Sequence, residues 1–300
     1  MRLLGPAEVR ELAARLDLSP TKRLGQNFVI DGNTVRRIVA AADVTAGECV
    51  MEIGPGLGSL TLGLIEAGAS VTAVEIDHRL AELLPATVAA MGAPEGAVQV
   101  VAADAMAVTP DALRLAAPAR GPKPEPTALV ANLPYNVSVP VILHVLERFP
   151  RIERGLVMVQ AEVGQRLAAA PGSKVYGGPS AKAAWCAEVR LAGTVSRQVF
   201  WPVPNVDSVL VRLDRHAEPG TERERVETFA IVDAAFGQRR KMLRQSLAPL
   251  LGPAAAEIVE RAGVDPTARG EVLGILDFLA IARARSSSGD EGAEGDTAVE

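Results

Sequence analysis

Short apolar runs alternate with helical periodicities through the first half of the chain. Cys49-Val-Met-Glu-Ile53 reads as a strand that runs straight into Gly54-Pro-Gly56-Leu-Gly58. Leu60, Leu62, Leu64 and Ile65 then continue as a helix. Ser70-Val-Thr-Ala-Val-Glu-Ile-Asp77 predicts a second strand, Val98–Ala102 a third before Asp104, and Ala128–Ala131 a fourth that ends at Asn132. Gly155–Gln160 predicts a fifth, and Cys186–Val195 with Val209–Leu213 a closing pair. Ahead of these, Pro6 and the spacing of Val9, Leu12, Ala13 and Leu16 predict an N-terminal helix. A second helix runs through Val35, Ile38, Val39 and Ala42, capped by Asp31 or Asn33. Strands alternating with helices imply right-handed crossovers and a doubly wound α/β sheet.

Pro219-Gly220 breaks this rhythm. Beyond it Val226, Phe229 and Ala230, then Leu243, Leu247 and Leu250, then Ile258, Val259 and Ala262 fall at helical spacing. The pattern therefore predicts an α/β domain over 1–216, a small all-helical domain over 217–285, and a disordered acidic tail over 286–300. At 300 residues the chain has room for one large domain and one small one.

The polar residues sit in telling places. Gly54, Glu75, Asp104 and Asn132 all fall at the carboxyl ends of predicted strands, where ligands of such sheets bind. A glycine-rich turn lets backbone approach a ligand without a Cβ in the way. The turn is GxGxG, with Ser59 following Gly58, so the third glycine of a dinucleotide fingerprint is missing. Glu75 is suited to the two hydroxyls of a ribose, and Asp104 to the amino group of an adenine. The set fits S-adenosylmethionine better than a nicotinamide dinucleotide.

Asn132-Leu133-Pro134-Tyr135 supplies the second half of a reaction. An adenine N6 is a poor nucleophile because its lone pair is delocalised into the ring. The Asn132 side-chain oxygen, with the carbonyl of Leu133 or Pro134, can accept both N6 hydrogens from a loop that proline holds in shape. Tyr135 offers a ring for the base to stack on. Phe200, in the Phe200-Trp-Pro-Val-Pro-Asn-Val-Asp-Ser208 loop, would cover the other face. A base clamped on both faces must lie outside a helix. The catalytic candidates are thus Asn132, Leu133, Pro134, Tyr135 and Phe200.

Composition changes the picture little. The chain is 48% hydrophobic and 22% charged, which suits a soluble globular protein. Two cysteines and three histidines are scattered without ligand spacing, so no metal is expected. No apolar run reaches membrane-spanning length and the N-terminus lacks signal-peptide character, which gives a cytoplasmic expectation with no membrane partner. The net charge of −5 is carried by Asp290, Glu291, Glu294, Asp296 and Glu300, since 31 basic and 31 acidic residues remain without them. A neutral body still has room for a basic face.

Further segments join these in order: Lys22-Arg-Leu-Gly-Gln-Asn27-Phe28, Glu75-Ile-Asp77, Asp104-Ala105 and Phe236-Gly-Gln-Arg239-Arg240-Lys241-Met-Leu-Arg244. As a set they resemble the bacterial small-subunit ribosomal RNA adenine dimethyltransferases, the family linked to kasugamycin sensitivity, over roughly residues 15–285. The resemblance implies a Rossmann-like class I methyltransferase fold with a small C-terminal all-helical domain. It implies S-adenosylmethionine as cofactor, held by Asn27, the backbone at Val29, Gly54, Gly56, Glu75, Asp104 and Asn132. It implies transfer of two methyl groups to N6 of each of two adjacent adenosines in a 3′-terminal hairpin loop of 16S rRNA, within the immature small subunit. The enzyme is expected to act as a monomer. Lys22 and Arg23, and from a helix Arg239, Arg240, Lys241 and Arg244, fit contact with RNA phosphates. One departure stands out: Pro179 occupies the place of a leucine usual in the family's Tyr-Gly-x-Leu-Ser run.

Two rival readings share parts of this pattern. The sister family that dimethylates a large-subunit (23S) adenosine has the same Asn-hydrophobic-Pro-Tyr segment, but the Gln-Arg-Arg-Lys run and Tyr176-Gly177 favour the small-subunit family. A non-catalytic RNA- or DNA-binding protein on the same fold would be expected to lose cofactor or catalytic residues, and Asn27, Glu75, Asp104, Asn132 and Tyr135 are all present.

Overall fold

The computed structural model describes residues 1–17, 27–115 and 124–290, so Lys22 and Arg23 lie outside the described residues. Contacts divide the chain into two units. The first holds Met1–Gly164 and Glu188–Arg215; the second holds Gln165–Ala187 and the chain from His216 onward.

Among the described residues nine strands, all but the first residue of β7 in the first unit, form two sheets: β1 (Phe28–Val29), β2 (Cys49–Ile53), β3 (Ser70–Glu75), β4 (Val98–Ala102), β5 (Ala128–Asn132), β6 (Arg154–Gln160), β7 (Ala187–Val195), β8 (Phe200–Trp201) and β9 (Ser208–Arg215). The large sheet has the order β4-β3-β2-β5-β6-β9-β7. Strands β4 to β6 run parallel, and β9 pairs antiparallel with β6 from Arg154↔Asp214 to Gln160↔Ser208. The two segments expected as a closing pair are neighbours at the end of the sheet: β9 pairs with β6, and β7 lies outside it. Every residue of β2 is buried, because a parallel strand is covered on both faces. The strand order reverses between β2 and β5, which opens a crevice beyond their carboxyl ends. Asp31 caps the helix Gly32–Ala41, its carboxylate accepting the Thr34 N–H at 2.8 Å.

The small sheet was not visible in the periodicity. Its strands are two residues each, with Phe28 opposite Trp201 and Val29 opposite Phe200. It ties the segment after Asn27 to the proline-rich loop, with the Phe28 and Trp201 rings stacked at 6.4 Å.

The second unit is built on the helices Glu222–Gly237 and Ile275–Asp290. Ile231, Val232 and Ala235 of one pack with Phe278, Ile281 and Ala282 of the other. Thr221 and Glu224 cap the first helix reciprocally. Two expected boundaries move. Tyr176 and Ala181 belong to this helical core, and Trp185 meets Phe229 edge-on at 6.1 Å. The segment 165–187 therefore folds with the helical unit, although the sequence pattern assigned it to 1–216. The last helix runs through Asp290, past the expected tail start at Ser286, whose hydroxyl donates to Glu227 at 2.9 Å. Pro179 fits without distortion, because it occupies the first turn of the helix Gly178–Ala183, where a missing N–H costs nothing.

Candidate active site

The crevice between β2 and β5 holds about 770 Å³ of empty space, the open solvent at its mouth included. One wall is the glycine turn. Gly54, Gly56 and Gly58 have φ of +68°, +58° and +96°, a region that costs other residues about 1–2 kcal/mol each. A Cβ on Gly56 would stand 2.9 Å from the Phe28 ring, and one on Gly58 would stand 2.7 Å from Leu84. The turn is therefore packed against its surroundings as well as bent.

The opposite wall is the turn after β5. A Cβ on Gly54 would lie 3.7 Å from Pro134 and 3.9 Å from the Asn132 carbonyl, so the two loops face each other directly. Asn132 Nδ2 donates to the Asn27 carbonyl at 2.9 Å. That bond fixes the amide's orientation and leaves Oδ1 as the free acceptor. The Pro134 carbonyl accepts from Val137 N–H at 3.3 Å, and the Leu133 N–H donates to Met158 at 3.1 Å. Leu133 is thereby anchored to the sheet, and the Pro134 carbonyl is engaged within the turn. Tyr135 lines the crevice and its hydroxyl shares a hydrogen bond with Ser208 Oγ at 2.9 Å. Burial raises the Tyr135 phenol above its ordinary pKa, against the opposing effect of Ser208.

Two carboxyl groups close the floor. Glu75, 5% exposed, accepts from Gly56 N–H at 3.1 Å through Oε2 and from Asp77 N–H at 3.0 Å through Oε1. Each oxygen keeps a further lone pair, the capacity a ribose diol requires. Burial raises its pKa despite those bonds. Glu52 is 1% exposed and accepts from Thr61 Oγ1 at 2.6 Å. Burial first, and the charge of Glu75 in addition, push its pKa up to about 8. The sequence analysis read this position only as part of the strand Cys49–Ile53. The signal was there: a lone acid in an otherwise apolar buried run.

Asn27, Val29, Gly54, Gly56, Glu75, Asn132, Leu133, Pro134 and Tyr135 all line this one crevice. Two expected members do not. Asp104 lies beyond the end of β4, exposed, with its carboxylate accepting Met106 N–H at 2.9 Å. Phe200 is 1% exposed within the hydrophobic core, paired through β8 with Val29, so neither ring face is free for a base. In the helical unit Arg239 donates to the Lys174 carbonyl at 2.6 Å and to Glu271 at 3.1 Å. Arg239, Arg240 and Lys241 lie in the turn after the helix Glu222–Gly237, not on a helix as expected; Arg244 lies on the short helix Leu243–Ser246. Arg240, Lys241 and Arg244 are exposed.

The sequence profile of the family described as Ribosomal RNA adenine dimethylase matches residues 18–285. The chain belongs to that family. A ribosomal RNA small subunit methyltransferase A from Leifsonia xyli subsp. xyli is 65% identical over 287 residues, covering 94% of this chain and 98% of that protein. Its namesake from Thermobifida fusca is 59% identical, covering 95% and 96%. Among solved structures, a dimethyladenosine transferase from Plasmodium falciparum matches with a TM-score of 0.69 at 22% identity, over 86% of this chain and 97% of that one. The 23S rRNA methyltransferase ErmE matches with a TM-score of 0.62 at 26% identity, over 87% and 100%. The fold is the class I methyltransferase fold, and the dimethylase is an S-adenosylmethionine-dependent methyltransferase. Among the described residues no helix is long and apolar enough to cross a membrane.

The crevice fits that cofactor by its own chemistry. Ile76, 59% exposed at its edge, offers an apolar face to an adenine ring. Glu75 has acceptor capacity for hydroxyls, and Ser59 carries a buried hydroxyl without a partner.

Proposed function

We propose that this dimethylase methylates N6 of two adjacent adenosines in a 3′-terminal hairpin loop of 16S rRNA, in the cytoplasm, during assembly of the small subunit. The observation that carries the residue-level reading is the Asn132 amide, in a turn that faces the glycine bend, whose Nδ2 is engaged by the Asn27 carbonyl so that Oδ1 is the acceptor left. In this reading the donor lies between Gly54 and Asn132 with its ribose on Glu75. The target amino group is held by Asn132 Oδ1 and the Leu133 carbonyl, and Tyr135 stacks on the base. Accepting both N6 hydrogens localises the lone pair on nitrogen. The sulfonium is already a strong leaving group, so alignment of sulfur, methyl carbon and nitrogen supplies most of the acceleration.

Asp104 completes the adenine pocket only if its carboxylate turns from the Met106 N–H. Arg240, Lys241 and Arg244 supply phosphate contacts, with Lys22 and Arg23 from the N-terminal segment. The relatives at 55–65% identity carry small-subunit names, and this favours 16S over 23S RNA as substrate.

The test is methylation of purified small and large subunits that lack the modification, followed by mass spectrometry of nucleosides. Dimethyladenosine in the small subunit alone is expected. Incorporation into the large subunit instead would overturn the assignment, and incorporation into neither would revive a non-catalytic binder.

A further inference from the structure

The proline-rich loop after Phe200 is pinned at several points and yet leaves apolar side chains in water. Asp207 Oδ1 accepts the Arg197 N–H at 3.2 Å, and the Arg197 guanidinium donates to the Asn205 carbonyl at 3.1 Å. The Asp207 carbonyl accepts the Ala161 N–H at 3.0 Å, and Pro204 is buried. Between these ties Val203 is 59% exposed and Val206 43%. A lone exposed valine needs no explanation. Two on a pinned loop, next to a partly exposed tryptophan, make an apolar tip that folding itself leaves uncovered.

Trp201 supplies a second observation. Successive residues of a strand face opposite ways. Phe200 buries its ring in the core, and Trp201 turns to the other side, where it stacks on Phe28 at 6.4 Å. Phe28 lines the crevice, and Tyr135, which also lines it, is bonded to Ser208 at the far end of the loop. Both ends of the loop therefore adjoin the crevice. Among the described residues the Trp201 indole N–H has no hydrogen-bond partner. Two cations stand at the base of the loop: Arg197, and Arg37, whose guanidinium donates to the Thr194 carbonyl at 3.5 Å. Both are exposed, and neither is in an ion pair among the described residues. A ring with a spare donor, apolar neighbours and flanking cations is the make-up of a single-stranded nucleic-acid surface, where bases stack on rings and cations meet phosphates.

We propose that this loop, through Trp201, Val203 and Val206, holds the nucleotide next to the target adenosine, with Arg37 and Arg197 on the adjoining phosphates. This rests on the crevice being where the target base is methylated. Phe28 lines the crevice and Trp201 does not, so a base on Trp201 is the neighbour of the base beside Tyr135 and not that base itself. Two adjacent adenosines give the loop a purine to hold whichever of the pair is reacting. The pinned loop offers its surface without an ordering cost at binding.

The test is steady-state methylation of purified small subunits that lack the modification, with calorimetry of the donor alongside. Val203→Ser together with Val206→Ser should raise KM for the subunit several-fold, and Trp201→Leu should raise it about ten-fold. The value of kcat should change less than KM, because the loop binds ground state and transition state alike. Donor affinity should stay at the wild-type value, whereas a merely structural Trp201 would loosen Phe28 against Gly56 and weaken the donor. Arg37→Gln should flatten the salt dependence of particle binding by up to about one unit. An unchanged KM in the valine pair and in Trp201→Leu would overturn the inference, as would a loss confined to donor affinity. A raised KM with an unchanged salt slope would assign the loop to a protein of the particle and overturn the contact with RNA. Absence of methylation by the wild-type chain would remove the reading beneath it. If Trp201→Leu fails to fold, the exposed valine pair still decides.

Discussion

Asn132 performs two tasks that substitution can separate. Its Nδ2 holds the Asn27 carbonyl at 2.9 Å across the mouth of the crevice. In the proposed reaction its Oδ1, the acceptor left by that bond, accepts from the target amine. Asn132→Ala removes both functions. Asn132→Asp keeps an acceptor for the amine but sets a second oxygen against the Asn27 carbonyl, where a donor had been. A preorganised acceptor contributes about 2.7–4 kcal/mol to a transition state, which is about 10²–10³ in rate. A neutral hydrogen bond contributes about 0.5–1.5 kcal/mol, which is roughly 2–12-fold in donor affinity.

The two variants should therefore fail differently. Asn132→Ala should lose two to three orders of magnitude in single-turnover methylation, with a few-fold weaker donor. Asn132→Asp should keep much more of the rate, measured at saturating donor, but bind the donor at least as weakly as the alanine variant. Single-turnover kinetics with unmodified small subunits and calorimetry with the donor measure the two quantities independently. An aspartate variant as slow as the alanine variant, yet with normal donor affinity, would refute the division of labour.

Gly56→Ala places a Cβ 2.9 Å from the Phe28 ring at a φ of +58°; donor binding should weaken ten-fold or more, and an unchanged Kd would show that the turn is pliable. Ser208→Ala and Tyr135→Phe each remove the 2.9 Å bond between the two loops, and the double variant should cost about the same as either single one, on the order of 1 kcal/mol in turnover; additive losses would show that the bond does not position the ring. Burial lifts the Glu52 carboxyl from 4.5 to about 8, so its stabilisation is complete below about pH 4.5 and is lost as pH rises toward 8. Thermal unfolding of the cofactor-free chain should accordingly show Glu52→Gln gaining on wild type across that window, by roughly 5 kcal/mol at most, and parallel pH profiles would count against a buried proton. Joint replacement of Arg240, Lys241 and Arg244 should weaken particle binding and flatten its salt dependence by up to about one unit per lost phosphate contact, whereas an unchanged slope would place these cations away from RNA.

The sheet was legible because buried parallel strands are short apolar runs, and because their carboxyl ends carry the chemistry. Glu75 and Asn132 could be assigned from position alone: each is the last residue of its strand. The turn residues were equally plain, since three glycines in five positions have few structural uses other than a bend that something approaches closely. Asp31 as a cap was visible for a local reason, a carboxylate three residues ahead of the N–H it accepts.

What the chain concealed depends on contacts between distant residues. Phe200 beside two prolines looked like an exposed clamp. It is buried because it pairs with Val29, some 170 positions earlier, and a two-residue strand has no period to detect. The segment 165–187 is short on helical periodicity, and it is long-range contacts that reveal the helical core it joins: Tyr176 reaches the Leu273 carbonyl at 2.9 Å and Trp185 packs on Phe229. Arg239 looked like its basic neighbours until Glu271 and the Lys174 carbonyl engaged it. The same logic reaches the site itself. Asn132 and Asn27 are 105 residues apart, so the bond that selects the amide's free oxygen is a product of the fold. Composition supplied an amide at a strand end, and tertiary structure decided which of its atoms is engaged and which is left as an acceptor.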